Sequence, residues 1–158
     1  MKKFFVVANN VRSAYNVGSF FRTADALGVD KLILSGYTPT PDKNNKIRKT
    51  ALGAEFFVEW EQIKQIGRAI EHLKRNRFEI VALECVKNSV DLADYQPMSN
   101  LVALILGNEI NGISRNVLKK VDQIVKIPML GKKESLNVAV AMGIASRSEE
   151  HTSELQSR

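Results

Sequence analysis

VALILGNEINGIS, residues 102–114, is the stretch whose reading decides the fold. Five apolar residues run without alternation, and Gly107, Asn108 and Glu109 then interrupt them. An unbroken Val, Ile and Leu run marks a strand buried on both faces, the habit of parallel sheets. In α/β domains the joint after such a strand is where ligands bind. Ser114 then offers an N-cap for a helix bearing Val117, Leu118 and Val121. A plain strand-to-helix turn also uses Gly and Asn. The carboxylate of Glu109 is the less routine member.

The same alternation extends outward in both directions. Further strands are predicted at Phe4–Ala8, Lys31–Ser35, Phe56–Val58, Glu79–Glu84 and Gln123–Ile127. Helix-spaced apolar residues lie between them: Val17, Phe20, Phe21, Ala24 and Leu27, then Ile63, Ile66, Ile70 and Leu73, and finally Leu136, Ala139, Val140, Gly143 and Ile144. Regular β–α alternation predicts an α/β domain, a parallel sheet with helices on both faces. The one long irregular stretch is GYTPTPDKNNKIRKTALGA, residues 36–54. A loop of this length in a compact domain is usually functional or mobile.

Composition narrows the class. The chain has 158 residues, 44% hydrophobic and 25% charged, which suits one soluble domain. No apolar run approaches the ~20 residues of a membrane span. Met1-Lys2-Lys3 and the run after it read as a first strand, not a signal peptide. The single cysteine, Cys85, allows no internal disulfide; it fits a reducing cytoplasm and is expected to pack as a small apolar residue. His72 and His151 stand alone, so no metal site is expected. Formal charge is +6, with basic clusters at Lys46/Arg48/Lys49, Lys74/Arg75/Arg77, Lys119/Lys120 and Lys132/Lys133. That excess suits a polyanion, nucleic acid first, although lysine-rich helix ends are often merely solvated. Neither G-x-G-x-x-G nor G-x-x-x-x-G-K-[ST] occurs, which disfavours the common phosphate cradles.

Two more joints share the polar character of residues 107–109. In NNVRSAYNVGSFFRTADALG, residues 9–28, Asn16 and Gly18 are expected to open a helix, with Arg22 on its polar face. In IPMLGKKESLNVAVAMGI, residues 127–144, Ser135, Leu136 and Asn137 begin a helix of small and apolar residues. A buried Asn137 there needs hydrogen-bond partners, which local backbone can also supply. Ile127, Pro128, Met129, Leu130 and Gly131 offer apolar lining and open main chain, a fit for an adenine ring or a thioether. From Arg147 the sequence turns polar, and residues 147–157 resemble a translated sequencing adapter. The expected division is therefore a domain over 1–146, its last helix cut short, and a non-native tail over 147–158.

Taken in order, the three joints resemble the signature motifs of the SpoU (TrmH-like) family. The matching patterns are N-x-G-x-x-x-R-x-A-x-x-x-G from Asn16 to Gly28, L-G-N-E-x-x-G from Leu106, and I-P-M-x-G-x-x-E-S-L-N-V from Ile127. KTALGAE, residues 49–55, resembles the family segment after the substrate loop. The resemblance implies an RNA ribose 2′-O-methyltransferase of the SPOUT class, with S-adenosylmethionine as cofactor. It implies a C-terminal trefoil knot, a homodimer and a tRNA or rRNA substrate in the cytoplasm. By family pattern Leu83, Gly107, Ile127, Met129 and Leu136 would hold the cofactor. Arg22, Asn16, Glu109, Ser135 and Asn137 would form the polar catalytic set. Arg12, Lys46, Arg48 and Lys49 are the expected RNA contacts. The chain departs from the family in its last helix, which gives way to the polar tail.

Arg22 matches the residue proposed as base in the family. An arginine is essentially always protonated, so a phosphate clamp and alkoxide stabiliser is the better role. Two alternatives stay open at this point: a catalytically inactive RNA-binding domain of the same fold, and a flavodoxin-like nucleotide-binding enzyme.

Overall fold

Among the described residues seven parallel strands form one sheet, and their order decides which turns meet. The computed structural model describes residues 1–156, with side chains to Ser148. The strands are β1 (Lys3–Asn9), β2 (Lys31–Ser35), β3 (Trp60–Gln62), β4 (Glu79–Leu83), β5 (Val90–Asp91), β6 (Leu101–Leu106) and β7 (Gln123–Lys126). Their order is β3-β2-β1-β6-β4-β7-β5, with every pairing parallel. The helices are α1 (Ala14–Leu27), α2 (Arg48–Ala51), α3 (Ile66–Arg75), α4 (Arg115–Leu118) and α5 (Val138–Gln156).

Both faces of the sheet are covered, which explains the unbroken apolar runs. On one face Val6, Ala8, Leu32, Leu34, Leu104 and Leu106 pack with Phe20 and Phe21 of α1, Ile47 and Met142. On the other, Val7, Ile33, Ile80 and Ile105 pack with Ala69, Ile70 and Leu73 of α3 and with Val117 of α4. Neighbouring residues on one strand thus enter opposite cores, so neither can be polar.

Several sequence expectations need correction. Phe56–Val58 is not a strand. Phe56 closes a 3-10 turn after Gly53, whose φ is +93°, and both Phe56 and Phe57 are exposed. The third strand starts at Trp60. β5 went unseen because a two-residue edge strand carries no periodicity. Residues 36–54 are not structureless: they hold a 3-10 turn at Asn45–Ile47 and then α2. Asn16 does not cap α1; Ser13 does, its hydroxyl accepting from Asn16 N–H at 3.2 Å. Helical backbone also continues through the polar stretch after Arg147, which contains no Pro or Gly to stop it. The last two positions of that tail, and its side chains from 149, lie outside the described residues.

Gly18 lets two elements meet. A Cβ there would collide with Thr50 Oγ1 and the Ile47 carbonyl, so α1 and the α2 segment touch backbone to backbone. Thr50 Oγ1 seals the contact by donating to the Tyr15 carbonyl at 2.8 Å. Gly18→Ala is expected to cost about 1–3 kcal/mol of stability, as overpacking does, read as a lowered urea midpoint.

Candidate active site

β1 and β6 are neighbours, in register from Lys3↔Leu101 to Ala8↔Leu106. The turns that follow them therefore leave the same sheet edge side by side. One carboxylate ties them together. Glu109 Oε1 accepts from Arg12 N–H at 2.9 Å, and Oε2 accepts from Ser13 N–H at 2.8 Å and Asn16 Nδ2 at 3.0 Å. Asn16 Oδ1 in turn accepts from Asn137 Nδ2 at 3.2 Å. The Asn137 Oδ1 caps α5, accepting from Ala139 N–H at 2.9 Å and Val140 N–H at 3.2 Å. The local and the long-range readings of Asn137 both hold, one on each side-chain atom. Glu109, Asn16 and Asn137, from three separated segments, form one chain of hydrogen bonds.

Electrostatics follow the same contacts. Burial raises the Glu109 pKa, but the N–H groups of Arg12 and Ser13, its own N–H and the Asn16 amide more than offset it. The carboxyl therefore sits below its ordinary 4.5. The N–H donors are those around the start of α1, where a negative charge is favoured.

The segment after β6 is stiff. Asn108 N–H donates to the Gly112 carbonyl at 3.1 Å and Gly112 N–H returns to the Asn108 carbonyl at 3.0 Å. Asn108 Oδ1 accepts from Ile110 and Asn111 N–H, both at 2.9 Å. A Cβ on Gly107 would stand 2.5 Å from the Gly112 carbonyl group. Room at Gly107 thus serves the returning chain on its Cβ side.

Beside this segment lies a cleft of about 420 Å³. Leu83, Gly107, Ile127, Met129 and Leu136 all line it, as do Glu109 and Ser135. Three carboxylates, Glu84, Glu109 and Glu134, face it against two cations, Arg115 and Lys126. Apolar walls and an acidic balance suit a ligand with a flat apolar part and positive charge. Cys85 lines the cleft and is exposed, so it does not pack as the small apolar residue expected.

Arg22 stands apart. It lies six residues beyond Asn16, ~9 Å along α1 and on a different side of the helix. It is exposed, absent from the cleft lining, and among the described residues it makes no hydrogen bond or ion pair. Arg12, Lys46, Arg48 and Lys49 are exposed on the turn before α1 and on the segment seated against it. Sequence reasoning missed Glu84, which accepts from Ile113 N–H at 2.8 Å and Cys85 N–H at 3.0 Å. It was counted as the end of a strand. Only the β4–β6 register, Ala82↔Ile105, reveals that it falls opposite Gly107.

Glu109→Gln removes the charge and one acceptor while keeping the shape. The expected loss is about 1–2 kcal/mol at neutral pH, read from chemical denaturation. The folded carboxyl is the stronger acid, so its contribution is complete at neutral pH and is lost as pH falls through the folded-state value, below 4.5. The gap between the two proteins should therefore close between pH 5 and the acid limit.

Known proteins resemble this chain in sequence and fold. The SpoU rRNA Methylase family model matches residues 3–147. A Staphylococcus epidermidis protein assigned to the TrmH family of tRNA/rRNA methyltransferases is 33% identical over 139 residues, 88% of this chain and 55% of that protein. The chain thus spans about half the length of the curated relatives it matches. The AdoMet-bound rRNA methyltransferase of Sinorhizobium meliloti superposes with a TM-score of 0.85 at 28% identity, covering 94% of this chain and 56% of that one. A structure solved for insight into 2-OH methylation of C/U34 on tRNA gives 0.86 at 25% identity and covers 99% of both chains. With the family model matched from β1 into α5, over residues 3–147, the chain belongs to the SpoU methylase family.

Proposed function

We propose that this chain transfers a methyl group from S-adenosylmethionine to a ribose 2′-hydroxyl of tRNA or rRNA. The observation that carries the reading is the chain of hydrogen bonds from Asn137 through Asn16 to Glu109, which lines an apolar, acid-lined cleft. The AdoMet-bound relative supports the cofactor, and the neighbour of equal length supports the 2′-hydroxyl. S-adenosylmethionine supplies an electrophilic methyl group on a sulfonium.

The chain's own residues supply position. Leu83, Ile127 and Leu136 give the adenine an apolar wall, while residues 107 and 129 offer main-chain groups. Glu84, Glu109 and Glu134 favour the cofactor's positive charge. Asn16, held at both ends by Glu109 and Asn137, has a fixed amide with which to orient the ribose. Holding the hydroxyl oxygen in line with the methyl accounts for much of the rate in such a transfer. Ser135, exposed at the cleft, is free to bond the nucleotide.

Arg22 enters from a second copy of the chain. Its distance from the cleft leaves the set incomplete within one subunit. Exposed apolar side chains on the α1 side of the sheet, Phe56 and Phe57 at 80%, Val140 at 51% and Ile144 at 42%, offer a surface for a homodimer. A permanently charged guanidinium would clamp a phosphate and stabilise the developing alkoxide, with the proton passing to phosphate or water.

Calorimetry should show S-adenosylmethionine binding to wild type and to Arg22→Ala alike. Methyl incorporation into bulk tRNA and rRNA should fall about 100- to 1,000-fold in the variant. Arg22→Lys that keeps its rate with a shifted alkaline limb would assign the proton to residue 22 and sink the clamp. Absence of any transfer by wild type would leave an inactive RNA-binding fold. Sedimentation should give a dimer, and Ile144→Glu a monomer. Mixing Arg22→Ala with Asn137→Ala subunits should restore activity in the mixed dimer if Arg22 acts across the interface.

A further inference from the structure

Tyr37 reverses the usual habit of an exposed tyrosine. Such residues normally bury the ring and leave the hydroxyl in water. Here the hydroxyl is tied back, accepting from Asn108 Nδ2 at 2.9 Å, while 59% of the residue remains exposed. The backbone is fixed as well. Tyr37 N–H donates to Asn10 Oδ1 at 3.2 Å, and the same Asn108 amide donates to the Asn10 carbonyl at 3.0 Å. Asn10, Tyr37 and Asn108 close a ring of hydrogen bonds one residue away from Glu109. An aromatic ring has been made rigid without being buried, next to the polar set.

Two exposed cations belong to the segments that adjoin Tyr37, and the Glu109 carboxylate is already occupied by N–H and amide donors. Arg12 lies two residues past Asn10 and is exposed. Lys64 is exposed too, its carbonyl accepting from Gly36 N–H at 2.8 Å just before Tyr37. Among the described residues neither cation has a carboxylate within ion-pair distance. A fixed aromatic face flanked by unpaired cations is how proteins take single-stranded nucleic acid, the base on the ring and the phosphates on the charges.

We propose that Tyr37 is the stacking platform for an unpaired base beside the target ribose, with Arg12 and Lys64 holding the neighbouring phosphates. The assignment rests on the RNA-modifying reading above and extends it: the substrate is a looped or single-stranded nucleotide, and a fully paired one does not fit. Duplex stacking hides the base faces that the ring needs. Tyr37 is a positioning residue, since it reaches the polar set through Asn108.

Two measurements on the full chain test it. In the first, short single-stranded RNAs carrying 2-aminopurine at successive positions are titrated with wild type, Tyr37→Ala, Tyr37→Phe and Tyr37→Trp. Stacking predicts quenching with wild type, less with Tyr37→Phe and Tyr37→Trp, neither of which accepts from the Asn108 amide, and none with Tyr37→Ala. In the second, the KM for RNA should rise roughly 10-fold or more in Tyr37→Ala, with S-adenosylmethionine affinity unchanged and Tyr37→Phe or Tyr37→Trp restoring it in part. Equal quenching by wild type and Tyr37→Ala, or equal methylation of a paired and an unpaired target, overturns the platform. The quenching needs no turnover, so it decides Tyr37 independently; lack of methyl transfer by wild type counts against the enzymatic reading alone.

Discussion

A single carboxylate organises the carboxyl edge of this sheet. Glu109 takes N–H groups from the turn before α1 and an amide from inside α1, so the loop after β6 and the first helix are one rigid piece. The three donors converge on two oxygens that remain charged at any physiological pH. Asn16 cannot rotate while Glu109 holds its nitrogen and Asn137 its oxygen. α5 is brought under the same control, because the Asn137 side chain that steadies Asn16 also satisfies the first free N–H groups of that helix.

Strand order makes this economy possible. β1 and β6 are far apart in sequence yet adjacent in the sheet, and β4 lies on the other side of β6. Turns after three neighbouring strands thus deliver Asn10 to Ser13, Asn108 to Gly112, and Glu84 to the same rim. The cleft forms where the chain after β7 passes that rim on its way to α5. One wall of the cleft, with Ile127, Met129, Ser135 and Leu136, is carried by the irregular segment between β7 and α5, residues 127–137.

Much of this was legible beforehand, for identifiable reasons. β1, β2, β4, β6 and β7 were readable because burial on both faces demands continuous apolar residues. Glu109, Asn16 and Asn137 were readable because polar residues at strand–helix joints are rarely accidental. Phe56 and Phe57 misled because apolar content was taken as burial, when they are exposed beside a 3-10 turn. Asn16 was misplaced as a cap because Ser13 is an equally good one three residues earlier, and only the turn geometry chooses. Motif order places Arg22 beside Asn16, but six residues along α1 turn it to a different side of the helix. Glu84 and Tyr37 were invisible because their partners lie across register and not along the chain.

The contact at Gly18 has a consequence for how relatives could diverge. Because the α2 segment is seated directly on the helix that carries Asn16, its exposed lysines and arginine ride on that helix as a fixed attachment. Residues on the outward side of that attachment are free to drift, since nothing beneath them changes. An outer surface a few residues long can thus be rewritten in shape and charge, provided the glycine under it is kept.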